Sequence, residues 1–275
     1  MSLAPKDLVD EAIKRGKAKA EYSLLTTAVL AIMAGVFIGI AGVAMIRTMG
    51  SMPAEWGTLV NLLGALMFPF GLICLLLVGG ELVTGNMLAV TMAFYAKAIS
   101  FKQWARNMFL VTIFNFVGAA GVAVFFGYFS GTLQGAFVER TIAVAVGRVA
   151  DAPLQAFLSG IACNILVCTG VYMNMAAKDF IGKIVGTFLP VAGFVIAGYQ
   201  HVVANMFLIV AGILAGGATW EQFATNMLFV WLGNLVGGGV ILAGSYFLAF
   251  KVGMKQTTTT AAVKQEPASG ILEHK

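Results

Sequence analysis

Two histidines occur in this 275-residue chain, and only one of them sits among apolar residues. His274 belongs to a polar tail, whereas His201 lies within Gly198-Tyr199-Gln200-His201-Val202-Val203-Ala204-Asn205. An ionisable side chain at membrane depth is costly, which makes His201 a candidate for function. Its imidazole, with a pKa of about 6.5 in water, changes charge near physiological pH. Neutral, it donates a hydrogen bond to an anion; protonated, it attracts the anion or lends a proton to a weak acid. A second stretch of similar make-up, Gly79-Gly80-Glu81-Leu82-Val83-Thr84-Gly85-Asn86, adds the hydroxyl of Thr84. Thr84 is expected either to meet an oxyanion together with backbone N–H groups or to cap a half-helix starting after it. Glu81 would repel an anion, so its expected partners are a helix N-terminus or backbone amides. Asn115, Asn164 and Asn234 are amides on apolar helices, suited to bonding between helices or to lining a path. Phe68, Leu72, Leu82 and Phe194 flank the two stretches at spacings that let them face one lumen, the alternative being core or lipid packing. No nucleotide-binding loop, metal-ligand cluster or nucleophile triad accompanies these groups. An enzyme is not expected, nor are a metal, a cofactor or catalytic residues.

The two stretches are copies of one pattern. Setting Gly79–Gly118 beside Gly198–Gly237, 119 residues later, matches Asn86 with Asn205, Asn107 with Asn226, Asn115 with Asn234 and Gln103 with Gln222. Polar amides are scarce in such spans, so these matches carry weight that matched Gly, Ala or Val do not. A repeat of this kind in a membrane protein points to a translocation path at the repeat interface.

Composition places the repeat in a bilayer. The chain is 60% hydrophobic and 11% charged, with a mean hydropathy of +0.92, whereas soluble domains carry about 25% charged residues. Its apolar runs reach the roughly 20 residues that cross a hydrocarbon core. The net charge of +5 is concentrated in particular loops, which does not suggest a nucleic-acid partner. Cys74, Cys163 and Cys168 fall within apolar spans and read as small buried residues.

Six spans are expected: Leu24–Ile46, Thr58–Ala96, Asn107–Phe129, Ala152–Ala176, Lys183–Leu214 and Phe223–Phe250. The second and fifth are too long for plain crossings and carry glycine and polar residues in their middles. Both are expected to be discontinuous helices, since irregular backbone at membrane depth survives only against a cavity or inside protein. Lysine and arginine gather in the N-terminal segment, the loops after spans two and four, and the C-terminal tail. The positive-inside rule therefore puts both termini in the cytoplasm. With three spans per copy, the copies must be inverted. The expected architecture is an all-α membrane protein with a 3+3 inverted repeat, in which residues 23–251 form the channel domain. Its halves are 23–130 and 150–251. Residues 1–22 form an amphipathic cytoplasmic helix, serving as a surface anchor or a movable gate. Met1–Tyr22 is too charged for a cleaved signal peptide. Residues 252–275 read as a disordered tail.

The segments Gly80–Gly85, Gly198–Met206 and Gly233-Asn234-Leu235-Val236-Gly237-Gly238 resemble the signature stretches of the formate/nitrite transporter family. The resemblance covers about residues 5 to 250. It implies an aquaporin-like six-helix protomer, a homopentamer and one pore per protomer. Aquaporins themselves are disfavoured, because neither stretch contains Asn-Pro-Ala. In that family a loop threonine and a histidine flank the central chamber, at the positions of Thr84 and His201. Hydrophobic constrictions match Phe68, Leu72, Leu82 and Phe194, and helix asparagines match Asn164 and Asn234. Two departures stand out. Gln200 occupies the place of a usual glutamate and supports an imidazolium less. Arg148 replaces a vestibule lysine, keeping its charge but not readily losing a proton.

Together with these residues, the resemblance implies a cytoplasmic-membrane channel or proton-linked transporter, bacterial or archaeal, for a small monovalent weak-acid anion. Formate leads, with nitrite and hydrosulfide as alternatives and a neutral-solute pore as a different class. Arg148 would concentrate the anion, the apolar slits would dehydrate it, and Thr84, His201 and backbone amides would receive it. An anion isolated there is costly, so proton transfer from His201 or bulk water is expected.

Overall fold

The structure, a computed structural model, describes residues 2–253. The tail expected at 252–275 lies outside them from residue 254 onward. All regular structure in the described residues is helical. Helix α1 is Pro5–Glu21, with proline in its first turn and Asp7 and Lys19 placed to suit the helix dipole. Of its buried face, Leu8, Val9, Ala12, Gly16 and Ala20, the first three join Leu88, Ala89, Met92 and Val171 in an apolar cluster. A Cβ on Gly16 would lie 1.9 Å from the Ala89 carbonyl oxygen. The apolar face of the helix expected to be a surface anchor or a movable gate packs on protein here.

Helix α2 is Leu24–Gly50, capped by the Ser23 hydroxyl, which accepts the Thr26 N–H at 3.1 Å. Helices α3 (Thr58–Met67) and α4 (Pro69–Val78) form one apolar stretch interrupted at Pro69, whose missing N–H cannot continue the ladder. Helix α5 is Val83–Tyr95, and α6 runs through Phe101–Phe129. Helix α7, Val138–Val149, occupies the stretch expected as a loop between the third and fourth spans. Then come α8 (Pro153–Ala176), α9 (Phe180–Ile196), α10 (Val202–Leu214) and α11 (Trp220–Gly253). Among the described residues five stretches are long and apolar enough to cross a membrane, namely α2, α3–α4, α6, α8 and α11; α5, α9 and α10 are shorter apolar helices.

Helices α6 and α11 start earlier than expected because each opens on a capping box. Ser100 and Gln103 exchange bonds at the head of α6, and Thr219 and Gln222 do so at the head of α11. Glycine sets the helix spacing. A Cβ at Gly118 would lie 2.1 Å from the Ile32 carbonyl oxygen, pressing α6 on α2, and one at Gly237 would lie 2.2 Å from that of Ile161, pressing α11 on α8. Small residues permit such approach where no hydrophobic force drives helices together. Phe109, Phe129, Leu154, Ile181 and Leu228 are more than half exposed, an outer surface suited to lipid rather than water.

Candidate functional site

Two helix interruptions build the site. The first lies between Val78 and Val83, the second between Ile196 and Val202. Each opens on a glycine with positive φ, Gly79 at 108° and Gly198 at 77°, a conformation that side chains resist. Asn115 closes the first: its Oδ1 accepts the Val83 N–H at 2.9 Å, and its Nδ2 donates to the carbonyls of Glu81 and Ala31, both at 2.8 Å. Asn234 closes the second identically, with Val202 N–H at 2.9 Å, Gln200 O at 3.0 Å and Gly160 O at 2.8 Å. Backbone groups freed by broken helices are thereby satisfied inside the protein. Asn164 is also committed to backbone, donating to Asn234 O at 2.7 Å and Thr84 O at 3.3 Å. All three asparagines thus bond backbone groups of other elements.

A second pair of amides repeats the match. Asn86 Nδ2 donates to Glu81 Oε2 (2.7 Å) and Asn107 Oδ1 (2.9 Å), and Asn205 Nδ2 donates to Gln200 Oε1 (2.6 Å) and Asn226 Oδ1 (2.8 Å). Beyond this the breaks diverge. The Glu81 carboxylate forms an ion pair with Lys19 of α1 and caps no helix, contrary to expectation; the residue preceding α5 is Leu82, whose side chain has no capping capacity. Gln200 instead donates Nε2 to Asp151 Oδ2 at 2.7 Å and to the Arg148 carbonyl at 3.0 Å. The Arg148 guanidinium donates to the carbonyls of Gly198 and Tyr199 at 3.0 and 3.1 Å. Neither Lys19 nor Asp151 stands out from sequence, because each reaches its partner across a long stretch of chain.

The breaks meet at Thr84 and His201, whose Oγ1 and Nε2 are 2.9 Å apart. Both side chains are buried. His201 precedes α10 and caps it, Nδ1 accepting the Ala204 N–H at 3.0 Å. A backbone N–H only donates, so Nδ1 carries no proton, and a neutral ring holds its proton on Nε2, directed at Thr84. Thr84 caps no helix. Phe194 lies beside the imidazole, centroids 5.7 Å apart, and meets Phe68 edge-on at 6.0 Å. Phe68, Leu72, Leu82 and Phe194 are all buried in the main apolar core.

Cavities border both breaks. One of about 320 Å³ is lined by Arg15, Lys19, Glu81, Leu82, Asn86 and Asn174. Another of about 320 Å³ is lined by Asn61, Arg140, Arg148 and Gly198. Phe68, Phe194, His201 and Asn205 enclose a space of only about 10 Å³, which shares Met45, Arg148 and Val195 with the second cavity. That is at most room for one water. Arg140 and Arg15 thus join the cavity walls.

Interrupted helices that converge on a buried hydroxyl–imidazole contact, beside cation-bearing cavities, define a channel-type membrane protein. Comparison with known proteins identifies the kind. The family model for formate/nitrite transporters matches residues 6–248. The chain is 44% identical over 247 residues to an uncharacterized transporter, YrhG, of Bacillus subtilis (strain 168), covering 90% of this chain and 93% of that one. It is 38% identical over 247 residues to the formate channel BtFdhC of Bacillus thuringiensis, with 90% and 95% covered. Among solved structures, a pentameric formate channel with formate bound superposes with a TM-score of 0.71 at 31% identity, covering 83% of this chain and 98% of that one. An FNT family ion channel has the same fold, with a TM-score of 0.83 at 24% identity over 88% and 98%. The chain belongs to the formate/nitrite transporter family of transport channels, which are not enzymes, and is an integral membrane protein.

Proposed function

We propose that this protein conducts formate, as a small monovalent weak acid, through a pore in each protomer of a homopentamer. The observation that carries the reading is the Thr84–His201 contact between two buried breaks, with Lys19 and Arg148 in the adjoining cavity walls. A formate channel among the relatives and a pentameric one among similar structures support the substrate and the assembly. The broken sets α3–α4–α5 and α9–α10, taken as one span each, make six spans with α2, α6, α8 and α11. Matched bonding at the two breaks supports an inverted pairing of residues 23–130 with 150–251, both termini lying in the cytoplasm of a bacterium or archaeon.

Cationic walls gather the anion, and Arg148, already bonded to two carbonyls, keeps its charge throughout. Phe68, Leu72, Leu82 and Phe194 strip its water. The Thr84 oxygen accepts a hydrogen bond from His201 Nε2–H and turns its own hydroxyl proton toward the substrate. Donating the Nε2 proton outright would leave an imidazolate, and a doubly protonated ring would surrender the Ala204 bond. Bulk water therefore supplies the proton that makes the acid neutral, and His201 polarises Thr84. Liposome uptake of formate, nitrite and hydrosulfide at pH near 7 and near 5 tests this. Formate should pass best, and His201→Phe should lower its uptake at least about tenfold, a loss of about 1.4 kcal/mol. Full pH-dependent uptake in that variant would sink the role of His201.

A further inference from the structure

The second break holds an amide where the first holds a carboxylate, Gln200 matching Glu81 at the repeat spacing. Each accepts from the following asparagine, Asn205 or Asn86. A carboxylate offers oxygens only, so Glu81 cannot present the wrong end to Asn86. An amide can: were Gln200 turned over, its Nε2 would face Asn205 Nδ2, donor against donor. Something must fix the amide's direction. Two acceptors do so from outside, Asp151 Oδ2 at 2.7 Å and the Arg148 carbonyl at 3.0 Å. The same Arg148 carbonyl accepts Asn226 Nδ2 at 2.7 Å, and Asn226 in turn bonds Asn205.

We infer that Asp151 is a positioning residue of the pore: its carboxylate locks the Gln200 amide, hence the backbone that presents His201, and restores to the second break the negative charge that Glu81 supplies to the first. Asp151 sits on the turn between α7 and α8, half-buried. The charged groups facing it are Arg148 from α7 and Glu221 of α11, which lines a shared cavity of about 160 Å³ with Asp151 and Asn226. From α8 that cavity receives only Pro153 and Ala156. From the α9–α10 break Gln200 meets Asp151 directly, with His201 next in the chain.

The transport consequence rests on the formate reading; the pairing itself does not. Gln200→Glu would set two carboxylates against each other, and they cannot both ionise without cost. The pair then holds a proton more tightly folded than unfolded, so the variant's stability is intact at acidic pH and falls as pH rises through the raised value. Thermal unfolding of the full chain in detergent should show Gln200→Glu several degrees below wild type at pH 7, with the gap closing toward pH 5. Gln200→Glu/Asp151→Asn should regain the pH-dependent part of the loss, because the amide introduced by the second substitution can donate to the new carboxylate, while the bond to the Arg148 carbonyl stays lost in both variants. Formate uptake by Gln200→Glu, relative to wild type, should fall at least about tenfold from pH 5 to pH 7, and the double variant should recover it. A pH-independent loss in Gln200→Glu, additivity with Asp151→Asn, or a double variant that fails to fold alongside the single would overturn the pairing. If wild-type liposomes carry no formate, the transport reading fails while the unfolding coupling still decides the role of Asp151.

Discussion

The two breaks use the same closure and opposite chemistry. Asn115 and Asn234 make matching sets of three bonds, and Asn86 and Asn205 repeat each other bond for bond. At the next positions the likeness ends. Leu82 and His201 both precede a half-helix with nearly the same backbone, φ −105° and −106°, yet one is apolar and the other caps through a ring nitrogen. Glu81 is neutralised by a lysine, and Gln200 is extended to an aspartate. What holds a broken helix together is thus separable from what the break does, and only the former is duplicated.

Removing the shared part should cost most. Asn115→Ala and Asn234→Ala each strand one backbone N–H and one carbonyl of the break, at about 1–3 kcal/mol per buried unsatisfied group. Each should lose at least about 2 kcal/mol in detergent unfolding; a loss confined to one would break the equivalence. Next comes Glu81→Gln, which makes both breaks amides and leaves Lys19 without its carboxylate. Stability should drop by about 2 kcal/mol, and formate uptake should become more sensitive to added salt as the lysine charge is uncovered. Thr84→Val keeps the shape of the centre but removes its hydroxyl. An uptake loss of about tenfold, near 1.4 kcal/mol, with unfolding little changed, would place Thr84 with the working part rather than the closure. Arg148→Lys should do least, losing the two carbonyl bonds and about 1 kcal/mol while the salt dependence of uptake stays put.

The shared part is readable in the sequence, and much of the divergent part is hidden there. The asparagine matches point to both breaks, and a lone histidine in one of them with a threonine in the other points to the centre. Gln103 and Gln222 are visible as a matched pair, and the serine and threonine three residues before them hold the capping signal that sets where α6 and α11 begin. Helix α7 sets Glu139, Arg140 and Arg148 around a short uncharged run over only three turns, too short to stand out from a loop by hydropathy. The partners of Glu81 and Gln200 are beyond reach. Lys19 lies on a helix whose docking depends on the apolar face of α5, and Asp151 is one surface acid among several until α7 and α8 bring it to Gln200.

The size of the cavities has an electrical consequence. In the pore proposed above, water filling the two spaces of about 320 Å³ would carry the potential of each aqueous phase inward. The membrane voltage then falls mainly across the tight stretch around Phe68, Phe194 and His201, where only about 10 Å³ is open. A unit charge crossing that stretch does nearly all its electrical work in one step, about 2.3 kcal/mol per 100 mV, and a neutral acid does none. In such a pore, voltage acts on the anion at a single place, and the proton decides whether it acts at all.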